Sequence, residues 1–170
     1  MDICRRKDGL EISELDPFLA ELLRQLPAST SSENSPAAQT RLFSSPASEN
    51  EKEICAEWKL YVQPELQRLF RSATETVAAD LEQLSGNEKA FANRSLFIPG
   101  KHADAWLNAL NQARLIIAAR NDFTDGELSD NYRSPIGSRR DLSLFQVNFY
   151  GFLQEFILRE LIELPGNSSA

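Results

Sequence analysis

The stretch DAWLNALNQARLIIAAR, residues 104–120, decides the fold. It contains neither Gly nor Pro, and its apolar residues recur with a helical period. At about 100° per residue, Trp106, Leu107, Leu110, Ala113 and Ile117 share one face. The spacing predicts a long helix from His102 to Asn121. Arg114 falls between Leu107 and Leu110 on that apolar face, and Arg120 falls close to Ala109 and Ala113. An unpaired charge inside an apolar stripe is costly, so Arg114 has to meet a carboxylate or carbonyls. The preferred reading is a structural arginine tied to a neighbouring helix. The alternatives are an arginine that binds a ligand or partner, and one that snorkels to solvent. Asn111 borders the face and can extend a polar network; Asn108 lies further round, toward water.

The helix that would meet it is the last one, expected over Asp141 to Leu164 and ended by Pro165-Gly166. Phe145, Phe149, Phe152, Leu153, Phe156 and Ile157 form a broad face. Leu144, Val147, Leu158 and Ile162 form a second stripe almost opposite. A helix apolar on two sides is either central in its bundle or covered by a partner, and the central place is favoured. Gly151 would allow close backbone approach. Gln154 and Glu155 are the candidates to meet Arg114, and Glu155 with Arg159 makes an i,i+4 pair.

Outward from these two helices, residues 1–27 are expected to hold a short β-hairpin and a leucine-rich helix that packs on the main bundle. Lys7-Asp8-Gly9 is the turn signal, with Gly9 read as accepting a positive φ. Ser13 is the expected helix cap, with Pro17 in the first turn and Pro27 at the end. Residues 28–50, rich in Ser, Thr, Asn, Pro and Ala, read as a flexible linker whose one bulky apolar pair is Leu42-Phe43. Residues 51–165 are the helical bundle domain and 166–170 a tail. Pro64 interrupts or restarts the first bundle helix, because it lacks an N–H. Leu96-Phe97-Ile98 predicts a short strand, and residues 122–140 a polar loop. The fold class is therefore mainly α: a bundle of about four to five helices with a short N-terminal β-hairpin.

The chain has 170 residues and a net charge of -7. An acidic surface repels phosphate backbones and anionic membranes, so neither nucleic acid nor membrane is an expected partner. No apolar run approaches the roughly 20 residues of a membrane helix. The start Met1-Asp2-Ile3-Cys4-Arg5-Arg6 has no apolar signal core, so a cytoplasmic protein with reduced Cys4 and Cys55 is expected, ahead of a Cys4–Cys55 bridge. A catalytic triad would have to use His102, the one histidine, whose place at a helix start already accounts for a polar residue. There is no CxxC, HExxH, GxGxxG or P-loop pattern. The acids Asp122, Asp125, Glu127 and Asp130 lack EF-hand spacing, and Gly126 is misplaced for it. No catalytic residue, metal site or cofactor is expected.

Two stretches resemble an uncharacterised bacterial family of domains of unknown function, family 2017. One is Ala105 to Leu115 followed by Arg120; the other is Tyr150-Gly151-Phe152-Leu153-Gln154-Glu155. Pro64-Glu65-Leu66 opening a helix, and strands followed by a Leu-rich helix at the N-terminus, are similar too. The chain departs from the family pattern at Ala118, where Gly is expected, and in a longer polar insert near the N-terminus. The resemblance implies an α-helical fold and no assigned reaction. Some members are encoded near a Clp protease adaptor, which implies a link to regulated proteolysis. The expected function is that of a non-catalytic interaction or regulatory protein, a monomer or homodimer with a protein partner. The competing expectation is a small-molecule-binding protein or enzyme with a polar site around Asn108, Asn111, Arg114, Arg120, Gln154 and Glu155.

Overall fold

A computed structural model describes residues 1–33, 35–48, 50–84, 94–129 and 136–162. Alternating apolar positions at the N-terminus build β1 (Asp2–Arg6) and β2 (Gly9–Ser13), joined by Lys7-Asp8. A third strand, β3 (Leu96–Pro99), pairs antiparallel with β2, giving the order β1-β2-β3. Leu10 faces Ile98 and Ile12 faces Leu96, and all four side chains are fully buried. Gly9 is required for a reason other than a positive φ, which no described glycine adopts. A Cβ there would sit 2.2 Å from the Ile98 carbonyl oxygen. The free edge of β3 is occupied by a side chain. Gln83 Nε2 donates to the Phe97 carbonyl and Gln83 Oε1 accepts from the Phe97 N–H, both at 3.0 Å.

Helix α1 (Pro17–Arg24) is capped by Asp16, not by Ser13. Asp16 Oδ1 accepts from the N–H groups of Phe18 and Leu19 at 2.9 Å, while Ser13 is paired with Asp2 in the hairpin. Pro27 does not stop the chain from turning again: it falls in the first turn of α2 (Leu26–Ser29), where a missing N–H is harmless. The segment expected to be a linker carries a second helix, α3 (Pro36–Leu42), capped by Ser35 with Pro36 at its first position. Ala38 of α3 is fully buried, because α3 packs on α6.

Pro64 does not break the next helix. Helix α4 (Lys52–Glu57) runs through one wide turn, Trp58–Val62, into α5 (Gln63–Leu81). The Gln63 N–H bonds five residues back, to the Trp58 carbonyl. That wider π turn adjoins the site where Pro64 removes a donor and its ring would crowd the Leu60 carbonyl. Helix α6 (Ala103–Arg120) is the centre of the bundle and packs against α8 (Arg139–Ile157), α5, α3 and α2. It buries Trp106, Leu110, Gln112, Ile116 and Ile117 in several directions, and Ala109, Ala113 and Ala118 let neighbours approach closely. The last helix is therefore not the central one. Its Leu144, Val147, Tyr150, Leu153 and Ile157 turn inward, while Phe152 is exposed and Phe145 and Phe156 are half-buried. A short helix α7 (Asp125–Ser129) lies in the expected polar loop. The expected helix end near Leu164 and the tail lie outside the described residues.

Candidate functional site

Of the six residues expected around Arg114, the structure brings two together. Arg114 Nη1 donates to Gln154 Oε1 at 2.6 Å, and Gln154 Nε2 donates to the Leu107 carbonyl at 3.2 Å. The glutamine thus bridges α8 to the charge and to the backbone of α6. Gly151 supplies the room. A Cβ at that position would lie 3.2 Å from the Arg114 Cζ. Arg114 is half-buried, its Nε is buried with no hydrogen-bond partner, and burial lowers its pKa from the ordinary arginine value. Its partner is the carbonyl oxygen of a neutral amide, one of the two expected kinds of acceptor, rather than a carboxylate.

The other four stand elsewhere. Glu155 is exposed and forms no contact with Arg114; the geometry of α8 aims Gln154 at the arginine instead. Arg159 bonds Glu160 at 3.0 Å in place of Glu155. A π turn begins at Leu158, and its wider winding takes residue i+4 out of line with residue i. Asn108 is exposed and donates to the carbonyl of Asp104 in its own helix, and Asn111 is exposed. Arg120 is exposed and reaches away from the seam, donating to the Ser31 carbonyl at 2.6 Å.

A second polar cluster has no counterpart in the sequence reading. Asp80, near the end of α5, is only 7% exposed. One of its oxygens accepts from Trp106 Nε1 at 2.9 Å, and His102 Nδ1 lies 3.0 Å from both. Trp106 is fully buried, so its indole N–H has to find an acceptor inside the fold. The signal was available: Ala73, Val77, Asp80 and Leu84 recur at the spacing of one helix face, and His102 and Trp106 are four apart. A carboxylate on an apolar stripe calls for donors as much as a guanidinium there calls for acceptors. The cluster joins α5 to the start of α6.

A third cluster ties α8 to the N-terminal segment. The Tyr150 hydroxyl donates to the Leu22 carbonyl at 2.6 Å and accepts from Gln146 Nε2 at 2.8 Å. Burial pushes its pKa up to about 12. Of the loop acids, Glu127 has a structural role. Glu127 Oε2 accepts from the Thr124 N–H at 2.9 Å, and the Glu127 N–H reaches back to Thr124 Oγ1, a reciprocal cap for α7. Arg140 bonds Glu127 at 2.5 Å, and this contact with the Thr124 bonds holds the Glu127 carboxyl down at about 2. Asp130 lies outside the described residues. Cys4 and Cys55 are free thiols. Among the described residues no helix is long and apolar enough to cross a membrane.

The largest departure from ordinary surface chemistry is on α4 and the start of α5. No residue from Glu51 to Ser72 is buried. Yet Ile54, Leu60, Tyr61, Val62 and Leu69 are large and apolar, with Leu60 64% and Tyr61 68% exposed. Beyond Ser72 the same helix turns Ala73, Val77 and Leu81 into the core. One helix thus has a supporting half and an outlying half.

No curated protein and no solved structure matches the chain. A family described as a domain of unknown function (DUF2017) matches residues 4–161, a span that includes the Arg114 seam, the Asp80 cluster and the outlying helix. With that span covered, the chain belongs to the DUF2017 family.

Proposed function

We propose that the protein is a non-catalytic interaction protein that docks a partner protein on the outlying half of the α4–α5 helix. The observation that carries this reading is the exposure of Ile54, Leu60, Tyr61, Val62 and Leu69 within a segment where no residue is fully buried. Isolated exposed apolar residues are ordinary, but five large ones concentrated on one stretch of helix are of the kind that marks interaction sites. Tyr61 suits such a place, since it brings apolar area and a polar tip at low conformational cost. The link to Clp-type regulated proteolysis that the resemblance implies makes components of that machinery the first partners to test.

The competing small-molecule or enzymatic reading at Arg114 has less support. Gln154 bonds Nη1 and Gly151 lies close against the group, which suits a structural tie, and Nε has no partner. The test is quantitative affinity capture from the native cell with the wild type and with the double variant Tyr61→Glu, Leu69→Glu. Both positions are exposed, so the variant should keep its stability within about 0.5–1 kcal/mol. The expected result is loss of the proteins enriched by the wild type. Capture of the same proteins by both would overturn the reading.

A further inference from the structure

We propose that the cleft between α5 and residues 30–33 and 39–43 binds a small zwitterion of the amino-acid or dipeptide class, with Gln112 in its lining. The cleft has a volume of about 660 Å³, within the range of small-molecule sites. One wall is a row of side chains four residues apart, Lys59 of the wide turn and Gln63, Gln67 and Arg71 of α5. The opposite wall is formed by residues 30–33 and by Gln39, Thr40, Leu42 and Phe43 at the end of α3. Gln112 is the one residue of α6 in the lining. It is 3% exposed, and its Nε2 is buried without a hydrogen-bond partner.

That amide is the reason to read the cleft as a site. An unsatisfied buried donor costs the full desolvation of the group, and a leucine or methionine of similar volume would carry no such cost. A fold that keeps a glutamine there gains nothing from it in stability. The donor instead asks for an acceptor entering from the cleft. The charges of the lining indicate what else the ligand carries. Lys59 and Arg71 provide two cations, Glu33 and Glu75 two anions, and none forms an ion pair among the described residues. A balanced set of uncommitted charges disfavours a simple anion such as phosphate, which would meet the two glutamates. It suits a molecule with a carboxylate for Gln112 and one of the two cations, and an ammonium for an acid.

The wall facing α5 is fastened at its start, as a binding site needs. Arg120 holds the Ser31 carbonyl, and the Thr30 and Thr74 hydroxyls meet across the cleft's end at 3.1 Å. This accounts for Arg120, whose role is to position a wall rather than to join the Arg114 network.

The experiment is NMR titration of the full chain with free L-amino acids and glycyl dipeptides, reading the Gln112 side-chain amide, with acetate and inorganic phosphate as anion-only arms. The expected result is saturable movement of the Gln112 resonances by at least one zwitterion and by neither anion. Gln112→Met should weaken that binding by at least about tenfold while leaving the melting temperature of the unliganded protein equal or higher. Arg71→Glu, a change at an exposed position, should also weaken binding with the fold intact, so the outcome does not hang on one core substitution. No response from any zwitterion, or an equal response to acetate or phosphate, would overturn the proposal. So would unchanged binding in both variants.

Discussion

Two of the polar contacts that hold α6 to its neighbours differ in kind. On the α8 side, Arg114 meets a neutral glutamine and remains half-buried. On the α5 side, Asp80 is almost wholly enclosed and receives the indole N–H of a fully buried tryptophan. Both are charges on otherwise apolar helix faces, yet they are satisfied in opposite ways. The arginine keeps part of its solvation and needs one good acceptor. The aspartate has given up water and depends on Trp106 and His102 together. A charge's position on a helical wheel therefore tells that it needs a partner, whereas its energetic weight depends on how much water it keeps.

The comparison is broken most directly at Asp80. Asp80→Ala removes the acceptor and leaves the Trp106 N–H stranded in the core, at an expected cost of about 3–5 kcal/mol. In a chain of this size that lowers the melting temperature by at least about 6 °C. Asp80→Asn retains an acceptor for the indole and should cost clearly less. Calorimetry on the two variants decides it. If Asp80→Ala melts within about 2 °C of the wild type, the enclosed carboxylate carries no more weight than the exposed acids.

Tyr150 offers the same contrast within one side chain, because raising the pH introduces the charge. Its folded pKa is about 12, pushed up by burial from an ordinary value of 10.0. Below pH 10 both folded and unfolded chains hold the proton, and stability does not depend on it. Between pH 10 and 12 the unfolded chain loses the proton first, so stability falls as pH rises. A shift of this size corresponds to a loss of roughly 2–3 kcal/mol across that window. Denaturant melts from pH 9 to 12 should show the decline in the wild type and a shallower one in Tyr150→Phe. Parallel curves would mean that the hydroxyl is not held neutral by the fold.

How much of this was legible follows the same physics. Arg114 stood out because helical spacing put a charge between Leu107 and Leu110, and Gln154 followed from the facing turn of α8. Glu155 seemed equally placed, since periodicity cannot separate adjacent residues within the reach of a long side chain. Asp80 escaped because attention to apolar positions passed over the polar one interrupting Ala73, Val77 and Leu84. Helix α3 escaped for another reason: its apolar content is too low to announce a core element. Only Ser35-Pro36, a cap followed by a first-turn proline, marked its start. What buries Ala38 is the small side chain itself, which lets α3 lie close on α6, a tertiary fact that composition does not carry.

Arg114→Ala should have a smaller effect than the aspartate, about 2 kcal/mol, because a half-buried charge bonded to an amide loses less than an enclosed one. Arg114→Lys should recover part of that, since a single bond to Gln154 does not need the planar fork. Equal losses for Arg114→Ala and Asp80→Ala would erase the distinction between the two contacts.

The smallest expected effect sharpens the comparison most finely. Gly151 lies within a helix, where replacing Gly with Ala favours the helix by roughly 1 kcal/mol. Against this, the new Cβ would sit 3.2 Å from Arg114 Cζ and 3.3 Å from its Nε, so the guanidinium has to give by a few tenths of an ångström. The two terms nearly cancel if the arginine can shift, and Gly151→Ala should stay within about 0.5 kcal/mol of the wild type. In an Arg114→Ala background the obstruction is gone, and the same substitution should stabilise by roughly the full helix term. A double-mutant cycle between the two positions reads the difference. A loss above about 2 kcal/mol for Gly151→Ala alone would show an arginine held as rigidly as Asp80, and the seam would then belong with the enclosed cluster.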